Sequence, residues 1–447
     1  MVDILPFHGL RFDLKLTGEL SKIIAPPYDI ISPLQRLKLK EQNPYNIVNL
    51  TLSEDFGGKN RYENAKAALE DFIKKGILKF DPEKCFYVFE ESFVDGDGRL
   101  KSFTGLVGLL KIEDYGVGKV LRHEKTLAKP KEDRLNLLNA CRTNFEFIYT
   151  IYNDSGANVC AILDNEKKKE PDVSTDAEYD PLLKFKFWKV SDKKTLSAII
   201  EAMKSKTLLI ADGHHRYETS RLYRESVQAQ PQAFTGKTAD KEDIRPEDYI
   251  LSLFVSANQK DISIHPTHRL VKFNDKISPE EMVKKISKYF TVETIPAKIP
   301  EISKKMTSCR TAGSKCLCIV FNNSTCYFAV LKTSLESVYK DLNISPPEQF
   351  NEEFENLDVN ILHKLILSAL LKDHEIAEIR FIHTISEILD SIEHKTQETD
   401  FDAGFILNAP SITTVENLSN KGLIMPQKST YFYPKPCSGL VMYAFDK

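Results

Sequence analysis

Three observations predict an α/β protein of mixed α+β character. Strand-like apolar runs alternate with amphipathic helical ones along the chain, apolar residues make up 42% and charged residues 28%, and no internal repeat interrupts the pattern. With 447 residues the chain has room for two to four lobes, at roughly 100–200 residues per domain. Such ordinary globular usage excludes wholesale disorder.

The elements follow in order. Residues 60–75 place Tyr62, Ala65, Ala68, Leu69, Phe72 and Ile73 on one helical face, and Gly76 follows as a stop. FYVFEES (86–92) and FTGLVGLLKI (103–112) flank the turn DGDG (95–98) and predict a hairpin. The charged stretch 122–138 leads into a helix starting near Pro130, and FEFIYTIYN (145–153) is another strand. Residues 165–181 are polar and contain proline, which predicts an exposed excursion. A helix over 193–204 precedes the apolar strand TLLIA (207–211); ADGHHR then opens a helix from about Tyr217 to Ser226. Residues 228–248 read as a surface loop and YILSLFVSA (249–257) as a buried strand. Beyond about 272 come a helix at 279–290, a hairpin at 316–332 turning at Asn322-Asn323, and a long helix at 358–371. FILNAP (405–410) and SGLVMYAF (438–445) return to strands. The expected organisation is an N-terminal β-rich lobe (1–115), a core (116–271), an α/β lobe (272–400) and C-terminal strands (401–447) returning to the core.

Charge and cysteine usage narrow the function classes. Lys+Arg number 61 against Asp+Glu 64, a net charge of -3, so no general affinity for nucleic acid or anionic lipid is expected. The start, MVDILPFHGLRFD, lacks the layout of a secretory signal, and no run reaches the roughly 18 apolar residues that span a bilayer. Eight cysteines show no framework spacing, and Cys316-x-Cys318 lies in a strand-like run. The expectation is a cytoplasmic protein with reduced thiols and no membrane partner.

The sharpest chemical feature is Ala211-Asp212-Gly213-His214-His215-Arg216. An apolar strand ends, Gly213 permits a tight turn, and a helix begins, so free N–H groups point at whatever sits before the helix. Arg216 adds a planar donor fork for phosphate oxygens, and His214 and His215 exchange protons near neutral pH. Two blander readings stay open: Asp212 and the histidines as metal ligands, or the whole segment as a structural cap. A second feature, Arg122-His123-Glu124-Lys125-Thr126 with Lys129, Lys131, Asp133 and Arg134 behind it, sets cations around a central carboxylate. It suits a polyanionic substrate that needs a base beside it. It is equally a solvated charge run at a helix start. A third, Met425-Pro426-Gln427-Lys428-Ser429-Thr430-Tyr431-Phe432-Tyr433-Pro434-Lys435, packs lysines and hydroxyls among aromatics and reads as a phosphate-closing segment or an edge loop. No Walker motif, dinucleotide fingerprint, H-E-x-x-H or G-x-S-x-G occurs.

The strand–DGHHR–helix element resembles the phosphate-binding motif of the ParB/sulfiredoxin superfamily, whose relatives include ADP-using free-serine kinases. The ordered set PFHGLRFD, APPYDIIS, NPYNIVNL, RHEKT…PKEDR, ADGHHRYE, HPTHRLV and MPQKSTYFYPK, running from about residue 5 to 441, is similar to that of the pyrophosphate-dependent serine kinases. The resemblance implies a ParB/sulfiredoxin-like catalytic core with flanking lobes and the active site in a cleft. It implies transfer of a phosphoryl group from pyrophosphate to free L-serine, with Mg²⁺, in a monomer or homodimer that binds no nucleic acid. By motif position Glu124 matches the catalytic glutamate; Asp212, as a Mg²⁺ ligand or histidine orienter, and His214 stand with it. Gly213, His214, His215 and Arg216 would cradle phosphate, with Lys125, Thr126, Lys428, Ser429 and Thr430 adding anion contacts. His123, Lys129, Arg134 and Lys435 are further substrate-binding candidates. The alternatives are an ADP- or ATP-dependent small-molecule kinase, a non-enzymatic ParB-like nucleotide- or DNA-binding regulator, and a metal-dependent hydrolase of pyrophosphate. No basic helix-turn-helix supports the regulator.

Overall fold

Alternating apolar residues build a nine-stranded mixed sheet: β1 (Ile4–Leu5), β2 (Phe86–Val94), β3 (Leu100–Lys111), β4 (Val120–Leu121), β5 (Ile148–Tyr152), β6 (Val173–Ala177), β7 (Asp180–Val190), β8 (Leu208–Asp212) and β9 (Tyr249–Ser256). Its order is β4-β8-β5-β9-β3-β2-β7-β6, with β1 also on β3. The computed structural model describes residues 1–94, 98–124, 126, 128–229, 244–321, 324–344, 350–394 and 400–446, with backbone only at 128–130. Two compact units divide the chain. Unit 1 is Met1–Arg122, Thr126–Ile262 and Pro434–Lys447, and carries this sheet; unit 2 is His123–Lys125 and Ser263–Tyr433.

In unit 1, β5, β8 and β9 are buried on both faces and are correspondingly continuous in apolar residues. Leu208 and Ile210 join Ile148, Tyr152, Phe86 and Val88 in one core cluster, which Ile199, Met203 and Tyr217 complete. The helices are α1 (Arg61–Lys74), α2 (Ala128–Cys141), α3 (Lys193–Met203) and α4 (His214–Gln228). Asn60 caps α1 in a capping box with Glu63, and Asp192 caps α3.

Unit 2 has a six-stranded sheet of β10 (His268–Phe273), β11 (Phe290–Pro296), β12 (Cys316–Val320), β13 (Thr325–Leu331), β14 (Ile376–Ile382) and β15 (Ala403–Ile406), ordered β11-β13-β12-β15-β10-β14. Helices α5 (Pro279–Ile286), α6 (Ile299–Thr311), α7 (Ile385–Glu393) and α8 (Ile412–Asn420) accompany it. The α/β class is as expected. Among the described residues no helix is long and apolar enough to cross a membrane. The eight cysteines are all free thiols.

Several elements differ from expectation for local physical reasons. The polar excursion at 165–181 contains β6, an edge strand on β7 whose alternating exposure needs no continuous apolar face. The helix after Gly213 begins at His214 rather than Tyr217. The 358–371 helix is an α-helical turn at Asp358–Asn360 followed by a π-helix, Ile361–Leu370, ending with Leu371 N–H on the Ile366 carbonyl at 2.9 Å. Of 405–410 and 438–445, only β15 and Tyr443–Ala444 are strands; Ser438 and Met442 make isolated bridges to Ala25 and Leu10. The turns at Asp95–Asp97 and Asn322-Asn323, and most of the loop at 228–248, lie outside the described residues.

Two histidines should make the core of unit 2 sensitive to acid. His268 is 1% exposed, and its Nδ1 accepts the Leu407 N–H at 3.3 Å. Burial, with Arg269 and His383 adding, pushes His268 down from 6.5 to about 3. Burial, with Arg269 adding, pushes His363 down to about 4. A histidine with a depressed folded value contributes full stability above its unfolded value and loses it as pH falls below about 6.5. Asp358, raised by burial from 3.8 to about 6, works in the opposite sense by taking up a proton in the folded state between those values. The two histidines outweigh the one acid, so lowering the pH from 6.5 to 5 should cost unit 2 about 2 kcal/mol. Urea midpoints at the two pH values test this. His268→Gln should remove about half of the histidine-driven loss; an unchanged pH dependence in that variant would refute the assignment.

Candidate functional site

β8 carries the sharpest motif to its place. LLIA fills the sheet between β4 and β5, and a register irregularity between Ile210 and Asp212, opposite Thr150 and Tyr149, re-aims the strand's end. Gly213 then adopts φ 90°, ψ 24°. A Cβ there would lie 3.0 Å from Ile148 Cγ2 and 3.1 Å from Arg216 Nε. Glycine is required both by the left-handed backbone and by the closeness of the arginine. Gly213, as the N-cap of the 15-residue α4, offers its first turn no capping side chain of its own. Gly213→Ala should therefore cost about 1–3 kcal/mol, read as a urea midpoint. A wild-type midpoint would show that the turn carries no strain.

The charged side chains of unit 1 interlock around this turn. Arg216 Nη2 donates to Asp212 Oδ2 at 2.6 Å, and its Nη1 donates to the Phe147 carbonyl and lies 3.8 Å from Glu146 Oε2. Lys435 Nζ, on a side chain 6% exposed, bridges Asp212 Oδ1 at 2.7 Å and Asp29 Oδ2 at 2.9 Å. Glu146 Oε1 accepts the Tyr28 N–H at 3.0 Å and the Ser438 hydroxyl at 2.7 Å. Burial opposes the charge on Arg216, but Glu146, Asp212 and Asp29 outweigh it and hold its pKa above the ordinary value. Lys435 is raised in the same way, burial being outweighed by Asp212 and Asp29. Burial pushes the Tyr28 hydroxyl up to about 12. The Arg134 guanidinium lies over the Tyr28 ring, 4.1 Å from its centroid, donates from Nε to Asp133 Oδ2 at 2.9 Å and from Nη1 to the Thr51 carbonyl at 3.0 Å.

Asp212, Gly213, His214, His215, Arg216, Thr126, Arg134 and Lys435 thus all belong to unit 1. His214 is buried at the start of α4 and His215 half-buried beside it. Thr126 donates its hydroxyl to Glu218 on α4, and Lys131 Nζ lies 3.7 Å from the same carboxylate. Glu146 and Glu218 are participants the motif reading did not single out; their partners are distant in sequence and no local pattern marks them.

His123, Glu124, Lys428, Ser429 and Thr430 belong to unit 2. There the backbone of Glu124 bridges Met425 in parallel, with the Met425 N–H on the His123 carbonyl at 2.8 Å. His123 is fully buried; its Nε2 is 2.7 Å from the Thr430 hydroxyl. Ser429 donates to the Pro426 carbonyl at 2.5 Å, and Lys428, exposed, stands at φ 55°. Arg269, 1% exposed, donates from Nη2 to the Lys428 carbonyl at 2.9 Å. Burial lowers its pKa to about 10, and Glu124 opposes that fall. Lys125 and the Lys129 side chain lie outside the described residues.

A magnesium cage built by the protein does not fit this arrangement. Both Asp212 oxygens accept from cations, Lys435 and Arg216, and among the described residues no group of three or more His, Cys, Asp or Glu side chains is disposed to hold an ion.

Fold and site together define a mixed α/β protein of two units, one of which holds a glycine-started helix N-terminus inside a buried charge network. The chain belongs to the family described as Protein of unknown function (DUF1015), which matches residues 4–360. No curated protein matches the sequence. Among solved structures, a free serine kinase mutant in complex with ADP is similar at 14% identity and a TM-score of 0.33, covering 72% of this chain and 86% of its own. A free serine kinase in complex with AMP aligns at 14% identity and a TM-score of 0.31, covering 72% and 86%. SbnI from Staphylococcus aureus, truncated at its C-terminus, aligns at 12% identity and a TM-score of 0.33, covering 76% and 87%.

Proposed function

We propose that the protein is a phosphotransferase that moves a phosphoryl group from inorganic pyrophosphate to the hydroxyl of free L-serine, giving O-phospho-L-serine and phosphate. The observation that carries the reading is the gathering of Arg216 and Lys435 at a glycine-started helix N-terminus. Backbone N–H groups there suit phosphate oxygens. Two buried cations already held by carboxylates need little reorganisation to meet developing charge.

In this reading the chain's residues share the work as the motif resemblance assigns it. Gly213 lets a phosphate approach the backbone, and the first turn of α4 with Arg216 takes the oxygens. Lys435 holds Asp212 in place. Glu124 orients the serine hydroxyl and accepts its proton as the new P–O bond forms. The bridging P–O bond breaks, and inorganic phosphate leaves with the electron pair. Magnesium enters with pyrophosphate as part of the substrate, since such ions bind largely through phosphate oxygens and water. The ParB/sulfiredoxin-like assignment of the core belongs to the same proposal, as do the cytoplasmic location and the monomeric or dimeric state.

A donor screen tests it. L-serine is incubated with pyrophosphate, ADP, ATP or polyphosphate, and phosphoserine is read by mass. Pyrophosphate should give product. Product from ADP or ATP alone would overturn the donor and keep the class; phosphate release from pyrophosphate without serine would favour a hydrolase.

A further inference from the structure

Unit 2 contains a cavity of about 430 Å³, a volume typical of small-molecule sites. Of the described residues assigned above to phosphoryl transfer, only Ser429 lines it, and that hydroxyl is already donated to the Pro426 carbonyl.

The charges around the cavity are unequally committed. Asp358 Oδ2 accepts both the backbone N–H of Asn408 at 2.9 Å and its side-chain Nδ2 at 3.0 Å, which fixes the loop leading to α8. Glu353 lies 3.5 Å from Lys421, and Glu352 is exposed at the rim. Arg310, at the end of α6, and Lys315, just before β12, also line the cavity. Among the described residues neither of their side chains makes a hydrogen bond or ion pair. Both act through space on Asp358. Of the ionised side chains lining the cavity, Arg310, Lys315 and Glu352 make no hydrogen bond or ion pair among the described residues, so in that set cations outnumber acids two to one.

Hydrogen-bonding capacity is uncommitted too. Thr267 and Arg269 line the same cavity and are 2% and 1% exposed. Thr267 Oγ1 and Arg269 Nε have no hydrogen-bond partner among the described residues. Buried donors are rarely left this way without a ligand or a water to meet them. Ser411 caps the nine-residue α8 at the cavity wall, with its hydroxyl accepting the Thr414 N–H at 3.0 Å, and so turns the helix's positive end toward the same space.

We propose that this cavity is a binding site for a small oxyanion-bearing molecule, a carboxylate or a phosphate, with Arg310 and Lys315 as its charge partners and Thr267, Arg269 and the start of α8 as its hydrogen-bonding floor. Arg269, whose charge Glu124 supports, joins the cavity to the proposed base, but binding here needs no turnover to be seen.

Calorimetric titration of the full chain tests it, with inorganic phosphate, succinate and O-phospho-L-serine as probes. The double variant Arg310→Gln/Lys315→Gln is compared with the wild type, and its melting temperature is measured because both side chains are at or near the surface. The wild type should bind at least one probe at millimolar concentration or below, and the double variant should lose one equivalent of that binding or weaken it about tenfold. Succinate binding identifies a carboxylate site, and phosphate binding without succinate a phosphate site. Indistinguishable titrations of a folded double variant and the wild type, or no binding of any probe to the wild type, overturn the proposal. Failure of the kinase reading would appear elsewhere, as no phosphoserine in the donor screen.

Discussion

Replacing Lys435 with methionine should lower the stability of unit 1 by about 3–5 kcal/mol, the usual loss when one partner of a buried ionic group is deleted. Its ammonium, on a side chain 6% exposed, is the bridge between Asp212 and Asp29, at 2.7 and 2.9 Å; Asp212 is half-buried and Asp29 reaches the surface. Methionine fills most of the volume, so the loss is electrostatic rather than a cavity effect. The raised pKa of Lys435 fixes the sign of its pH dependence. The stabilisation is fully present below the ordinary lysine value and disappears only as pH rises through the folded one. Urea unfolding at pH 7 measures the loss, and Lys435→Met/Asp29→Asn should recover part of it by removing one of the stranded charges. A single variant within about 1 kcal/mol of wild type would mean that water satisfies both acids, and the network would lose its structural standing.

Glu124→Gln should reduce phosphoserine formation by about 10²–10⁴-fold, the range expected for loss of a general base. The change is isosteric and the side chain is half-buried, so the fold should survive. A secondary effect separates the chemistry from the packing. Glu124 supports the charge of buried Arg269, so its neutralisation should also cost unit 2 about 1–2 kcal/mol and push the arginine further down. Turnover must therefore be compared on protein shown to be folded by circular dichroism. Activity within about tenfold of wild type would remove Glu124 from the reaction.

How much of this was legible depends on whether the signal is local. An apolar run, a glycine and an amphipathic run mark β8, Gly213 and α4 without knowledge of the rest of the chain. The helix at Arg61–Lys74 was equally plain, because its apolar spacing and its stop lie within one segment. Glu146 shows the limit. It sits among strand residues, and its partners Tyr28 and Ser438 are 118 and 292 positions away. Arg134 adds what no charge run shows: its guanidinium stacks on Tyr28 and bonds to Thr51, partners distant in sequence, as well as to neighbouring Asp133. The edge strand β6 escaped because an edge tolerates polar residues that a central strand excludes. The cavity of unit 2 was only half visible in sequence: Thr267, Arg269, Met425 and Ser429 lie in the segments HPTHRLV and MPQKSTYFYPK, whereas Arg310 and Lys315 belong to no motif.

The order of the chain gives Lys435 an unusual history. Residues Pro434–Lys447 belong to unit 1, but all of Ser263–Tyr433 is synthesised before them. On the ribosome, Asp29 and Asp212 therefore emerge long before the ammonium that neutralises them, while the other unit is already free to fold. The lysine that ties the two acids together is delivered only after the whole of the intervening unit. A nascent chain halted within unit 2 would hold the Gly213 turn without its lysine, so the charge network around that turn closes only once synthesis has passed residue 435.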